Sequence, residues 1–177
     1  MPRYVAFLRA INVGGHVVKM DRLRQAFTAM RFSNVATFIA SGNVIFESPA
    51  APDEALETRI ETALEKELGY DVATFVRSGA EVTRIAACEA YKASELGDAV
   101  LYIGLLKEPL AAREKKIVES LQSPVDQLRV DKREIYWRAS KSFRDAIFSP
   151  ARLEKALGQA ATFRNANTFR KLAALFP

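Results

Sequence analysis

Apolar and polar positions in the first 77 residues follow a strand–helix–strand–strand–helix–strand order. Strands are predicted in YVAFLRAI, VATFIA, NVIFE and DVATFVR, which are rich in apolar, β-branched and aromatic residues. Helical spacing of apolar residues from Met20 to Met30 predicts a first helix. A second helix is predicted in PDEALETRIETALEKELG, where proline and acidic residues open the segment and Gly69 follows its end. This order is the split βαβ, or ferredoxin-like, pattern.

A similar order begins again in the second half of the chain. AVLYIGLL predicts a strand, Pro109 opens a helix through Leu121, and QLRVDKREIYWR predicts a hairpin that turns at Asp131–Arg133. SPARLEKALG predicts a helix with a serine N-cap, and ATFRN predicts a short fourth strand. A last helix is predicted to be capped by Asn167. Its inward-facing residues are predicted to be Phe169, Leu172 and Leu175.

The fold class is therefore predicted to be α+β, with two tandem ferredoxin-like (βαββαβ) subdomains, the second followed by a C-terminal helix. The N-terminal subdomain is predicted to cover residues 1–88 and the C-terminal one residues 99–177, with a connector at 89–98. Ser78 and Glu81 predict a capping box that opens a short helix near the end of the first subdomain.

Composition favours a globular cytoplasmic protein without a membrane partner. The apolar content of 49% is ordinary, and no window approaches the ~18 apolar residues of a membrane-spanning helix. The net charge of +5 is uneven: residues 1–100 hold 11 Lys+Arg against 13 Asp+Glu, which leaves 15 against 8 for residues 101–177. A basic second half favours an anionic partner, either a small molecule or a nucleic acid.

A first candidate binding site lies at the loops that follow the first strand and join the next two. In a ferredoxin-like sheet these loops share one edge, where glycine-bearing backbone could present N–H groups to an anion and two cations could supply charge. The structural alternatives are that the glycines serve a strand-to-helix turn, that the asparagine serves the hairpin, and that the arginine is ion-paired internally. The residues singled out are Arg9, Asn12, Gly14, Gly15, Lys19, Ser41, Gly42 and Asn43.

A second polar stretch, TFRNANTFRKL, places Arg164, Asn165, Asn167 and Thr168 before and at the start of a helix. Helix N-termini attract anions through free N–H groups and the helix dipole. This end could complete the first site, as part of one site between the subdomains, or Asn167 could simply cap the helix.

No cofactor and no metal site is predicted. The glycine spacing matches neither the dinucleotide fingerprint nor the Walker pattern. His16 is the single histidine, and it could be a general acid or base or a solvated loop residue. Cys88 is the single cysteine, which excludes an internal disulfide and a cysteine-cluster metal site. The sequence leaves open whether any reaction is catalysed.

A nucleic-acid interface is the alternative for the basic half. The run LRVDKREIYWRASKSFR interleaves basic residues, which track phosphates, with aromatic residues, which stack bases. The other reading of this run is a hairpin with solvated charges.

The segments YVAFLRAINVGG, VATFIASGNVIFES and ATFRNANTFRKL resemble the bacterial domain-of-unknown-function family numbered 1697, over almost the whole chain. The resemblance implies a two-subdomain α+β fold and a soluble bacterial protein, and it brings no established activity. The positions that match its motifs are Arg9, Asn12, Gly14, Gly15, Ser41, Gly42, Asn43, Thr162, Arg164, Asn165 and Thr168.

Three hypotheses follow. The first is a binding protein, with catalysis left open, for a small anion that carries phosphate or carboxylate and could be a nucleotide. Arg9 and Arg164 would pair with the anion, since the planar arginine fork suits two parallel hydrogen bonds. The second is a nucleic-acid-binding module that uses residues 129–171. The third is a purely structural cluster that bridges the two halves.

Overall fold

The computed structural model describes residues 1–12, 15–39, 42–140 and 147–176. The chain divides into two compact units, Met1–Thr83 together with Leu175–Pro177, and Arg84–Ala174. Each contains one four-stranded antiparallel sheet. The α+β class is therefore confirmed. The predicted subdomain boundaries, with a connector at residues 89–98, stay a prediction.

The first unit has its strands in the order β2-β3-β1-β4, with all neighbouring strands antiparallel. β1 and β3 are central, and their residues are nearly all buried. The elements are β1 Arg3–Leu8, α1 Met20–Ala29, β2 Ser33–Thr37, β3 Asn43–Glu47, α2 Glu54–Leu68 and β4 Thr74–Ser78.

The second unit has the strand order β6-β7-β5-β8, again antiparallel throughout. Helix α3 contains the point at which the two units divide. The remaining elements are α3 Gly79–Ala87, α4 Ala93–Leu96, β5 Val100–Leu105, α5 Ala112–Ser120, β6 Asp126–Asp131, β7 Glu134–Ala139, α6 Pro150–Leu157, β8 Thr162–Asn165 and α7 Ala166–Ala173.

Apolar residues from one face of each sheet and from the helices above it form the two cores. In the first unit, alternate residues of β1 meet the apolar stripe of α2, because strand side chains alternate with period two and helix side chains with period 3.6. Each fully buried large apolar side chain stabilises the fold by about 1.5–3 kcal/mol. Phe27, Phe32 and Phe46 also contact one another there, with ring centroids 4.6–5.9 Å apart.

In the second unit Gly104 makes room for the ring of Phe163 on the neighbouring strand. A Cβ at position 104 would lie 2.5 Å from that ring. Trp137 packs edge-on against Phe148 and Phe163, with centroid distances of 4.7 and 6.0 Å. Glycine at this point of β5 therefore permits an aromatic cluster over the sheet.

Several helix ends follow their sequence signals. Asp53 caps α2 by accepting a hydrogen bond from the Leu56 N–H at 3.0 Å, and Gly69 ends it in the left-handed conformation with φ 83°. Ser149 caps α6, which has Pro150 in its first turn. The Ser78–Glu81 capping box is present, with both backbone N–H groups bonded to the partner side chain.

Four local predictions are wrong. Asn165, rather than Asn167, caps α7, because its Oδ1 accepts from the Asn167 N–H at 2.9 Å. Leu175 does not face inward but follows α7 and is 39% exposed. Helix α5 begins at Ala112 instead of Pro109. The pair Gly42-Asn43 predicts a two-residue hairpin turn, but β2 ends at Thr37 and Asn43 already belongs to β3.

Strand β1 also ends earlier than predicted, at Leu8 instead of Ile11. Ala10 and Asn12 adopt left-handed conformations, with φ 58° and 59°. Such residues leave the extended region and stop the pairing of a strand. Arg9 therefore lies in a loop and not within a buried strand.

No helix in the described part of the chain combines the length and the apolarity that crossing a bilayer requires.

Candidate functional site

In the first unit the loop after β1 lies beside the β2–β3 connection. The Leu8 N–H donates to the Gly42 carbonyl at 2.8 Å. Gly42 has φ 78°, and a Cβ at this position would lie 2.9 Å from the Cβ of Ile11. The two polar loops singled out from the sequence are therefore neighbours, and glycine is needed at position 42 for both its conformation and its close contact.

The asparagines of these loops are used to hold the loops themselves. Asn12 is exposed, and its Oδ1 accepts from the Val18 N–H at 2.7 Å, which closes the turn between β1 and α1. Asn43 is fully buried. Its Nδ2 donates to the Phe38 carbonyl at 2.9 Å, while the Phe38 N–H donates to the Asn43 carbonyl. In this conformation Asn43 does not reach an external ligand.

The other predicted site residues of the first unit differ in their exposure to solvent. Arg9 is half-buried, and its N–H donates to the Ala73 carbonyl at 2.9 Å. Gly15 has φ 89° and an open space around its Cα. Lys19 is exposed in the position before α1. His16 is exposed, with its ring 4.0 Å from the ring of Tyr70. The predictions for Gly14 and Ser41 lie outside the described residues.

In the second unit Arg164 faces the interior and is only 9% exposed. Its Nη1 donates to Thr162 Oγ1 at 2.8 Å and to the Phe163 carbonyl at 2.9 Å. Burial lowers the pKa of the Arg164 guanidinium to about 10, so the group still carries its charge at neutral pH. Arg164 therefore helps to organise β8 from within.

A cleft of about 270 Å³ lies where α7 begins. Asn165 and Asn167 line it together with Arg170, whose Nη1 donates to Asn167 Oδ1 at 2.7 Å. Residues 99–101 form a largely apolar wall. Half-buried Thr168 belongs to the same first turn of the helix. Two predicted site residues, a cation and the positive end of a helix dipole thus meet at one concave surface.

Arg170 was missed from the sequence. Its spacing in the sequence could have indicated a role beside Asn167. Arg170 is three residues after Asn167, and residues three apart on a helix lie on one face. A basic residue in the last turn was more simply explained by the helix dipole.

A larger groove, about 580 Å³, runs along α5 and β6. Lys115 and Arg129 line it together with Glu119, so it mixes both signs of charge. It contains none of the candidate residues singled out for the anion site. Size alone would favour this groove, but its chemistry does not favour an anion.

Three arginines of the basic run at the β6–β7 hairpin donate hydrogen bonds to groups of their own unit. Arg129 donates to the Ala90 carbonyl and to Glu95 Oε1, and its guanidinium lies 4.2 Å from the centroid of the Tyr91 ring. The Arg138 Nε donates to the Glu95 carbonyl. Arg133 donates to the Lys107 carbonyl at 3.2 Å. These cations fasten the segment before β5 and the loop after β5.

The aromatic residues of the same run are likewise used within the unit. Tyr136 is fully buried, and burial raises the pKa of its phenol. Trp137 donates from Nε1 to Asp126 Oδ1 at 2.9 Å. The predictions for Lys141, Phe143 and Arg144 lie outside the described residues. In the described part of this run, the geometry is that of a structural hairpin.

A search of the described residues for three or more His, Cys, Asp or Glu side chains able to hold a metal ion finds no such group. Cys88 is a free, half-buried thiol.

Fold and site together define an α+β protein with two antiparallel sheets and a small polar cleft beside a helix terminus. The family described as "Protein of unknown function (DUF1697)" matches residues 1–136, and the chain belongs to it. A solved structure of a conserved bacterial protein from Streptococcus pneumoniae is similar to this chain with a TM-score of 0.74 and 26% identity. The match covers 99% of this chain and 98% of that one. No curated protein matches the sequence. The predicted family is thus confirmed.

Proposed function

We propose that this protein binds a small anion, carrying phosphate or carboxylate, in the cleft at the start of α7. The observation that carries the proposal is the joint presence of Asn165, Asn167 and Arg170 around one concavity at a helix N-terminus. An arginine offers parallel N–H donors to phosphate or carboxylate oxygens, and the helix dipole favours negative charge there.

The cleft volume narrows the ligand class. Small-molecule sites span about 300–1,000 Å³, and this cleft of about 270 Å³ is slightly smaller than that range. The size favours inorganic phosphate, a short carboxylate or a sugar phosphate over a nucleotide. The Asn167–Arg170 hydrogen bond would hold the guanidinium in place before the ligand arrives, which lowers the ordering cost of binding.

The wider site predicted from the sequence, in which Arg9, Lys19 and the first-unit loops join Arg164 around one ligand, stays a prediction. We assign Asn12 and Asn43 to loop closure instead, since each has a hydrogen bond to the backbone of its own loop.

The finer fold assignment supports the same placement. We infer that each unit is of the ferredoxin type, because both sheets are antiparallel and place the first and third strands of the unit in the centre. Loops at the ends of such a sheet commonly form sites, and α7 begins at the end of the edge strand β8.

A structural role for the polar residues is the second candidate. It is favoured by the internal hydrogen bonds of Asn12, Asn43 and Arg164. A nucleic-acid interface at the hairpin has less support, because Arg129, Arg133 and Arg138 bind carbonyl oxygens of the protein.

A thermal-shift series with inorganic phosphate, sugar phosphates, short carboxylates and nucleotides tests the proposal. A ligand at about 100 times its Kd adds about 2.7 kcal/mol to the free energy of unfolding. Arg170→Gln is expected to weaken binding about 10–100-fold, since a hydrogen bond to a charged group contributes about 1.5–3 kcal/mol. Arg113→Gln, an exposed arginine on α5, is the matched control and should bind like the wild type.

If no compound in the series shifts the wild type, or if Arg170→Gln binds as tightly as Arg113→Gln, the anion proposal is wrong. Single-stranded RNA binding that weakens steeply with salt would favour the nucleic-acid alternative instead.

A further inference from the structure

Strand β4 is an edge strand of the first sheet and pairs with β1 on one side only. The other side of an edge strand presents a row of N–H and C=O groups, which another strand can use for pairing. Proteins block such edges by several means, including covering them with a helix and placing charged side chains there. The outer side of β4 shows how this protein does so.

Carboxylates accept hydrogen bonds from alternate N–H groups along β4. The Thr74 N–H donates to Glu61 Oε1 at 2.8 Å, and the Val76 N–H donates to Glu57 Oε1 at 2.8 Å. At the end of the strand the Ser78 N–H donates to a carboxylate of α3, also at 2.8 Å. Residues two apart in an antiparallel strand point their backbone groups to the same side, so these N–H groups lie in one row.

The geometry of α2 fits this row. Glu57 and Glu61 are four residues apart on the helix, so they share a face about one turn apart, or ~6 Å. Two residues of a strand span ~6.8 Å. The distance between Glu57 and Glu61 along the helix is therefore close to the distance between two alternate amides of the strand. Glu57 is only 2% exposed, so it is held against the sheet rather than free in solvent.

The second unit has a related but smaller contact, with one carboxylate on one amide. Glu154 on α6 accepts from the Ala161 N–H at 2.9 Å, just before the edge strand β8. In both units the helix that precedes the last strand caps an amide at or beside that strand.

We propose that Glu57 and Glu61 act as substitutes for a neighbouring strand and keep the edge of β4 from pairing with β4 of a second copy. An antiparallel β4–β4 pair would be self-complementary, as a two-fold interface requires. The strand sequence TFVRS is rich in residues that favour strands. The occupant excluded by the two carboxylates is therefore the same strand of another molecule.

The test is the mass in solution, measured by size-exclusion chromatography with light scattering over a tenfold concentration range. The double variant Glu57→Ala/Glu61→Ala is expected to associate, with its mass rising about twofold over the wild-type value. Glu57→Gln/Glu61→Gln keeps a carbonyl oxygen at each position and should stay at the wild-type mass. Glu54→Ala/Glu65→Ala removes two exposed carboxylates from the same helix and should also stay there.

Hydrogen exchange gives a second readout, because freed amides exchange faster. At a concentration low enough that Glu61→Ala has the wild-type mass, its Thr74 amide should lose protection while the Val76 amide keeps it. As the concentration rises and copies pair, the Thr74 amide should become protected again. If the double alanine variant does not fold, this single variant decides by the same two measurements. The proposal is overturned if both alanine variants keep the wild-type mass over the whole concentration range, or if the Glu54/Glu65 control associates equally. It is also overturned if Thr74 protection in Glu61→Ala is unchanged at the low concentration at which the variant has the wild-type mass.

Discussion

The two polar stretches that stand out in the sequence are used in opposite ways. In the first unit Asn43 is fully buried and bonds to the Phe38 carbonyl. In the second unit Asn167 is exposed in a cleft, beside the cation of Arg170. Similar residue types in similarly dense stretches thus serve loop closure in one place and present an open polar surface in the other.

The difference comes from position within the fold. Asn43 opens β3, which lies between β1 and β2, so its side chain is enclosed by neighbours and must satisfy its own hydrogen bonds. Asn167 lies in the first turn of a terminal helix of its unit, where one side remains open. Polar density in a sequence therefore identifies loops with special geometry, and burial then separates structural asparagines from accessible ones.

The largest effect is expected at the glycines of the first unit. Gly42→Ala should cost about 2–4 kcal/mol, since it combines a strained left-handed residue with a Cβ 2.9 Å from the Ile11 Cβ. Gly15→Ala has the same kind of φ, but no atom within 4 Å, so it should cost only about 1–2 kcal/mol. Urea unfolding of both variants measures the difference, and equal losses would show that the close contact has no energetic role.

The next largest effect is the difference in the free energy of unfolding between the variants Asn43→Ala and Asn167→Ala. Asn43→Ala removes a fully buried side chain and leaves the partly buried Phe38 carbonyl without this donor, so it should lower the free energy of unfolding by about 1–3 kcal/mol. Asn167→Ala removes an exposed side chain and should change it by less than about 0.5 kcal/mol. The check is denaturant unfolding of both variants. A loss at Asn167 as large as that at Asn43 would contradict the division into structural and accessible residues.

The smallest effect concerns Tyr91, whose ring centroid lies 4.2 Å from the guanidinium of Arg129 in the basic run. Tyr91 anchors the segment before β5, and its hydroxyl donates to the Tyr136 carbonyl at 3.2 Å. Burial raises the pKa of Tyr91 to about 12. The folded state therefore keeps a proton that the unfolded chain loses near pH 10, so this stabilisation is complete below pH 10 and is lost as the pH rises towards 12.

Between pH 9 and 11 the free energy of unfolding of Tyr91→Phe should consequently fall less than that of the wild type. The two falls should differ by no more than about 1 kcal/mol, because solvent screens part of the effect. Chemical unfolding at the two pH values measures this difference. An identical pH dependence for both proteins would mean that the Tyr91 hydroxyl titrates as in solution and does not anchor the segment.

The strongest local patterns predicted the fold well. NVIFE is strand β3 with the same bounds, α2 has its predicted cap in Gly69, and the hairpin turns between Asp131 and Glu134. These segments agree in propensity, periodicity and turn chemistry, so local signals suffice. Boundaries failed where tertiary contacts decide, as in the loop after β1, where left-handed Ala10 and Asn12 end the strand although the apolar pattern continues.

The candidate site was harder to predict for a physical reason. Whether an arginine or an asparagine is accessible depends on what packs over it, and the sequence gives no direct record of that. Arg164 and Arg170 illustrate the point, because the first is buried in β8 and the second lines the cleft. The sequence singled out the first and not the second, because only packing distinguishes two basic residues of one polar segment.

The most direct test of the anion site is the change in backbone amide chemical shifts during a titration with inorganic phosphate. We expect saturable shifts in the segments 165–170 and 96–101, which contain the residues that line the cleft, and unchanged signals at residues 42–47. Arg170→Gln should weaken that titration, and Arg113→Gln should not. Signals at residues 165–170 that stay fixed while the loop at residues 9–19 responds would contradict the assignment of the anion site to α7.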